Sequence, residues 1–222
     1  MKVFFLKKLL ILLCPIFCLC SLSACRDEVR YVDYVSELRN NVFLAETEDY
    51  SLRIFSIKKE NPYEMDGIPK QTSILTEVYF TAPKGDLDCS LSFTVQNRQF
   101  GGDMSYDNVK AEYYYSCTLD SSKAKEIPCK LVYGDEEIAF TAKSVLEETT
   151  LSPEQILKML KESENELFTA LTDKYGFQGE IYVRLLFEDS AYYYVGIIDR
   201  NKNVSACLLN PKTGKKLAKR QS

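Results

Sequence analysis

The side chains best able to do chemistry in this sequence are carboxylates, thiols and tyrosine hydroxyls, because the chain has no histidine and no tryptophan. Without histidine there is no usual general base at neutral pH, no Ser–His or Cys–His nucleophile pair, and none of the histidine-containing zinc ligand sets. The carboxylates come in clusters: Glu46, Glu48 and Asp49; Glu136 and Glu137; Glu147 and Glu148. A glycosidase needs two carboxyl groups at a set separation across a cleft, and adjacent residues on a strand point to opposite faces. The doublets therefore read as solvated surface, and no catalytic residue is assigned. The sequence contains no D-x-[DN]-x-[DN]-G loop, P-loop, G-x-G-x-x-G or G-x-S-x-G motif. No metal ion or cofactor is expected.

Four of the eight cysteines follow Cys25: Cys89, Cys117, Cys129 and Cys207, with no C-x-x-C among them and no metal-ligand spacing. Cys117 and Cys129 flank a loop and are the candidate disulfide; buried free thiols are the alternative, since cysteine is a common core residue. Two tyrosine triplets, Tyr113-Tyr114-Tyr115 and Tyr192-Tyr193-Tyr194, put tyrosine on both faces of a strand. Tyr114 and Tyr193 are the candidate binding surface, exposed tyrosine being favoured at protein contacts. Cross-strand aromatic pairing is the competing use.

Two kinds of element must position these groups. From about residue 36 to 148 the apolar pattern has period two, as in strands. Cys89, Leu91, Phe93 and Val95 share one face. Val109, Ala111, Tyr113, Tyr115, Cys117 and Leu119 share another, followed by Cys129, Leu131 and Tyr133 and then Ile138, Phe140 and Ala142. Further strands are expected at 42–45, 51–58 and 75–81. Turns are expected at Asp66-Gly67, Pro83-Lys84-Gly85-Asp86, Gly101-Gly102-Asp103 and Gly134-Asp135. This predicts an antiparallel β-sandwich over 36–148, with a partly open barrel as the rival. Over 149–222 the pattern changes. Ser152-Pro153-Glu154-Gln155 reads as an N-cap, an N1 proline and a capping box. A helical stripe of Ile156, Met159, Leu160, Leu167, Phe168 and Leu171 follows, with Gly176 as its stop. Three strand-like runs, 180–187, 191–199 and 203–210, complete a helix-plus-three-strand (αβββ) module. The fold class is α+β.

The N-terminus reads as a secretory signal: Lys2, Lys7 and Lys8, an apolar run at 9–20, then Ser21, Ser23 and Ala24 before Cys25. The run is shorter than the ~20 apolar residues of a membrane span, and Pro15 weakens it as a helix. Leu22-Ser23-Ala24-Cys25 resembles the lipobox of bacterial lipoproteins. The resemblance implies a signal peptide over 1–24, cleavage between Ala24 and Cys25, and a diacylglycerol on the Cys25 thiol. Residues 25–35 would be a short tether to the extracytoplasmic face of the cell membrane, a compartment that permits disulfides. Losing 1–24 removes three lysines and no acid from 28 Lys plus Arg and 32 Asp plus Glu, so the formal net charge moves from −4 to −7. That balance argues against nucleic acid as a partner. The basic stretch 212–220 reads as a solvated terminus.

A helix, paired strands and Asn210-Pro211-Lys212-Thr213-Gly214-Lys215-Lys216-Leu217 resemble the end of PepSY-type domains of secreted bacterial proteins, with Asn210 where that family has an acidic residue. The resemblance covers about 70 residues and implies a protease-inhibitor-like or propeptide-like role. Taken together, the sequence predicts a lipid-anchored, non-enzymatic cell-envelope lipoprotein that binds another envelope protein. The alternatives are a regulator or carboxylate-dependent hydrolase in the envelope, and, third, small-ligand capture.

Overall fold

Alternating apolar and polar residues carry most of the chain into antiparallel strands. The computed structural model describes residues 29–85 and 87–221. Ala24, Cys25 and the rest of the expected signal peptide lie outside the described residues, as does Asp86 of the expected turn. A 3-10 helix at Tyr31–Tyr34 leads into β1 (Val35–Glu46), which pairs antiparallel with β2 (Ser51–Glu60). Next come β3 (Thr72–Thr81), β4 (Cys89–Val95), β5 (Arg98–Asp103), β6 (Ser105–Asp107), β7 (Glu112–Cys117), β8 (Glu126–Tyr133) and β9 (Glu136–Ser144). One wall runs β1-β2-β3-β7-β6 and the other β9-β8-β4-β5. Strand β1 belongs to both: Phe43 and Leu44 pair with Ser144 and Lys143 of β9 while the opposite edge holds β2. The sheet curls until it is nearly barrel-like. At its open side the Tyr115 hydroxyl of β7 donates to the Gly101 carbonyl of β5 at 3.1 Å.

The period-two residues fill the interior. Phe43, Leu52, Ile54, Val78, Phe80, Leu91, Phe93, Ile127 and Leu131 are buried in one cluster with Tyr113 and Tyr133. Each such aliphatic or phenylalanine side chain contributes about 1.5–3 kcal/mol on full burial.

Two local expectations are corrected. Residues Val109 and Ala111 are not in a strand; 108–111 form the turn joining β6 to β7. The Asp107 carboxylate accepts from the Val109 and Lys110 amides, which closes that turn, and Val109 is exposed. Gly101-Gly102-Asp103 is not a turn but the end of β5. The hairpin turns instead at Gln96 and Asn97, both at positive φ (52° and 61°). The glycines serve close packing: a Cβ on Gly101 would sit 2.1 Å from the Leu91 carbonyl oxygen. Gly134-Asp135 does make the expected two-residue hairpin, between paired Tyr133 and Glu136.

The remainder contains α1 (Pro153–Ser163), α2 (Asn165–Ala170), a minimal hairpin of β10 (Thr172–Asp173) and β11 (Gly176–Phe177), and the meander β12 (Gly179–Phe187), β13 (Ala191–Asp199), β14 (Val204–Leu209) and β15 (Lys216–Gln221). The capping box forms as expected. Ser152 N–H donates to Gln155 Oε1 at 2.8 Å, and Gln155 N–H donates back to Ser152 Oγ at 3.3 Å. The expected single helix is broken at Glu164 (φ −122°, ψ 35°), whose carboxylate takes Lys216 and Lys219 of β15. Residues 216–221 are a paired strand rather than a solvated terminus.

The decisive joint is parallel. Strand β12 pairs with the first half of β1, from Val35↔Ile181 to Arg39↔Arg184. The hydrogen-bonded order therefore runs β15-β14-β13-β12-β1-β2-β3-β7-β6. One face of β12 and β13, carrying Ile181, Val183, Leu185, Tyr193, Val195 and Ile197, is buried. Helix α1 lies on this side, with the Tyr193 hydroxyl donating to the Leu151 carbonyl at 3.0 Å.

Candidate functional site

The opposite face of this continuous sheet gathers charged and aromatic side chains. Alternation puts Tyr182 and Arg184 of β12, Tyr194 of β13, Glu37 and Arg39 of β1, Arg53, Phe55 and Lys59 of β2, Glu77 and Tyr79 of β3, and Tyr114 of β7 on this side. Arg184 makes a two-pronged bond to the Glu37 carboxylate and stacks over Tyr182 and Tyr194, with ring centroids at 5.4 and 5.9 Å. Glu77 is buried and accepts from Lys59, from the Tyr79 hydroxyl at 3.0 Å and from the Tyr114 hydroxyl at 3.3 Å. Glu112 pairs with Arg53 at 2.6 Å. Arg39 lies 4.1 Å over the Phe55 ring, and its Nε is buried with no hydrogen-bond partner. Burial pulls the Arg39 guanidinium below its ordinary pKa, against the pull of Glu37 and with the push of Arg184. Burial also raises the Tyr63, Tyr79 and Tyr182 hydroxyls, so they stay protonated as donors. The face offers rings and directed N–H and O–H groups, with its acids already countered.

Beyond Tyr194 this face becomes an apolar groove of about 400 Å³, lined by Tyr194, Val204, Ala206, Leu208, Ala218 and Arg220. Its shape follows from register. Tyr194 sits opposite Leu208, Leu208 opposite Ala218, and Ala206 opposite Arg220. Small alanines on two adjacent strands leave the floor low between the Tyr194 ring and the Arg220 side chain.

A second feature lies where loop 61–71 folds over the start of β12. Glu60 and Glu180 are 1 % and 0 % exposed. Glu60 Oε1 accepts from the Lys70 amide, and Glu180 accepts from the Tyr182 hydroxyl and the Gly67 amide. Each keeps its Oε2 buried without a partner. Burial drives both carboxyls above the ordinary carboxylate range, and the charge on Glu60 adds to the push on Glu180. Gly67 (φ +77°) packs so closely that a Cβ there would lie 2.4 Å from the Asp199 carbonyl oxygen.

The residues expected from sequence fall differently. Tyr114 is half-buried on the charged face, its hydroxyl committed to Glu77. Tyr193 is in the core, 1 % exposed, because its register opposite Leu185 and Leu209 puts it under the helix, and burial pushes its hydroxyl up to about 12. The partly exposed tyrosines of that triplet are Tyr192 and Tyr194. Cys117 and Cys129 are not joined: Cys89, Cys117, Cys129 and Cys207 are all free thiols. Cys117 lies opposite Thr76 in one wall and Cys129 opposite Phe93 and Phe140 in the other. Burial raises Cys89 to about 11 and Cys129 to about 12, which keeps both unreactive. The carboxylate doublets are surface groups; Glu136 accepts from Tyr50, Glu137 pairs with Lys130 and Glu147 with Lys212. Among the described residues no three of His, Cys, Asp and Glu gather as metal ligands, and no helix is long and apolar enough to cross a membrane. Sequence reasoning missed Glu37, Arg184 and Arg220. For Glu37 and Arg184 the signal was a charged residue set within a strand-like run that also carries apolar residues; Arg220 lies in a basic stretch that gives no such signal. No family model, no curated protein and no solved structure matches this chain.

Proposed function

We propose that the protein is a cell-envelope lipoprotein, held at the extracytoplasmic face of the membrane by lipid on Cys25, and that it works as a protein-binding module without catalysis of its own. The observation that carries the binding role is the groove of about 400 Å³ beside Tyr194 and Arg220. An apolar hollow flanked by a tyrosine and an arginine has the composition of an interface centre. Its continuation into stacked rings and guanidiniums supplies a polar surround. Support for the anchor is the Leu22-Ser23-Ala24-Cys25 motif. In this reading residues 36–148 are a β-sandwich rolled toward a barrel and 149–222 an αβββ module extended by a fourth strand, β15; the buried cluster from Phe43 to Ala142 draws on no later residue.

The test is site-specific photocrosslinking in native membranes. A crosslinking residue at position 194 should trap one discrete envelope protein, and the same residue at exposed position 109 should not. Equal, diffuse labelling from both positions would count against a binding role. Mass spectrometry of the membrane-extracted chain should show diacylglycerol on an N-terminal Cys25; an intact Met1 would remove the anchor.

A carboxylate-dependent hydrolase is the second reading, supported by the paired Glu60 and Glu180 with their raised pKa values. It requires loop 61–71 to lift from both carboxyls before a substrate could reach them.

A further inference from the structure

We infer that the partner of this protein contributes an extended, acidic segment that adds as a new strand to the free edge of β15, placing its apolar side chains in the adjoining groove. The inference rests on the protein-binding reading and names the chemistry of the partner. Among the described residues, strand β15 is the last in the hydrogen-bonded order and pairs only with β14, so its outer edge carries backbone N–H and C=O groups with no described strand beside them. All six of its residues are exposed. Unpaired edges of this kind accept a strand from another chain, main-chain bonds giving affinity and side-chain hollows giving selectivity. The hollow is already there: Ala218 and Arg220, alternate residues of β15, form its outer rim, and the floor continues over Ala206 and Leu208. Side chains projecting on this face from a strand laid beside β15 would therefore enter the groove at every second residue.

Charge selects the occupant. Strand β15 carries Lys216, Lys219 and Arg220 and no acid, against the single carboxylate of Glu164, which holds the two lysines on the helix side. Arg220 is left on the groove side. A second copy of this chain would bring together two strands that each carry three cations and no acid, so their net charges would repel. An acidic segment meets the opposite arrangement. The other sheet margins suit an added strand less well. Strand β6 has three residues, and β5 carries Gly101 and Gly102 just before its last residue, with the Gly101 carbonyl already taken by Tyr115.

The experiment uses the full chain in detergent and a synthetic dodecapeptide alternating glutamate with valine, beside a counterpart alternating lysine with valine. The acidic peptide should bind, and hydrogen exchange at amides 216–221 should slow by about tenfold or more. Arg220→Glu should weaken it by about tenfold while leaving the exchange pattern of the free protein unchanged. Equal binding of the lysine peptide, binding without added protection at 216–221, or no binding by a folded sample would overturn the inference. A dimer in sedimentation with 216–221 protected would assign the edge to a second copy and overturn it too. If crosslinking from position 194 still traps a discrete protein, any of these failures removes strand addition and leaves the binding role standing; if it does not, both fall.

Discussion

Removing the Arg184 side chain would leave the Glu37 carboxylate, 7 % exposed, without its two-pronged partner. An uncompensated buried charge is far costlier than the intact pair is valuable. Arg184→Ala should therefore cost about 3 kcal/mol in urea unfolding, whereas Glu37→Leu with Arg184→Leu together should cost less than that single change. Glu60 and Glu180 behave in the opposite sense. A carboxyl whose folded pKa is raised binds its proton more tightly folded than unfolded. Stability from such a group is complete where both states are protonated and declines as pH rises from the unfolded carboxylate value through the raised folded one. Glu180→Gln keeps an oxygen for Tyr182 and Gly67 and removes the like charge facing Glu60. It should raise Tm at pH 7 by a few degrees, on the order of 1 kcal/mol, with the gain vanishing below about pH 4. A Tm unchanged or lowered at pH 7 would mean that the pair is already neutralised.

At the scale of elements, the helix cap and the Gly134-Asp135 hairpin were legible, because they depend on neighbours in sequence. Ser152 and Gln155 make their reciprocal bonds as their spacing predicts. Ser152→Ala should cost about 1 kcal/mol of stability, read from denaturant midpoints. Gly101 shows the limit of that legibility. Two glycines and an aspartate look like a turn in sequence, yet Gly101 is in a strand because the Leu91 carbonyl lies where a side chain would go. Gly101→Val should destabilise by on the order of 2 kcal/mol and raise hydrogen exchange across β4 and β5 first. The apolar stripe runs through Leu171 as if in one helix, and the interruption at Glu164 brings in Lys216 and Lys219, more than fifty residues away. The basic stretch that supplies them looks like a solvated terminus until β14 pairs with it.

For the whole molecule, the parallel contact of β1 with β12 makes the early and late strands neighbours in one sheet. The pairing should couple them: calorimetry of the chain should show one unfolding transition, and amides of β1 and β12 should exchange with equal protection. Two resolved transitions would mean that the joint contributes little. The Glu37–Arg184 part of the charged face exists only through this joint, since the two residues are 147 apart along the chain. The same path ends at β15, so the groove and the free edge are consequences of strand order as much as of composition.

Sequence by itself determined the β-rich α+β character, most strand positions, the helix start and the absence of histidine chemistry. Each of these is a property of periodicity or local composition, and short-range sterics and hydrogen bonding enforce it. Tertiary structure alone decided that Tyr193 is core and Tyr194 surface, because a one-residue change of register exchanges the two faces of a strand. It alone decided that Cys117 and Cys129 lie on opposite walls, that Glu60 and Glu180 share a buried corner, and that Ala206, Ala218 and Arg220 border one groove. Those arrangements depend on which strands pair. Pairing is set by how the whole chain buries its apolar faces at once, and that choice is not written in any local stretch.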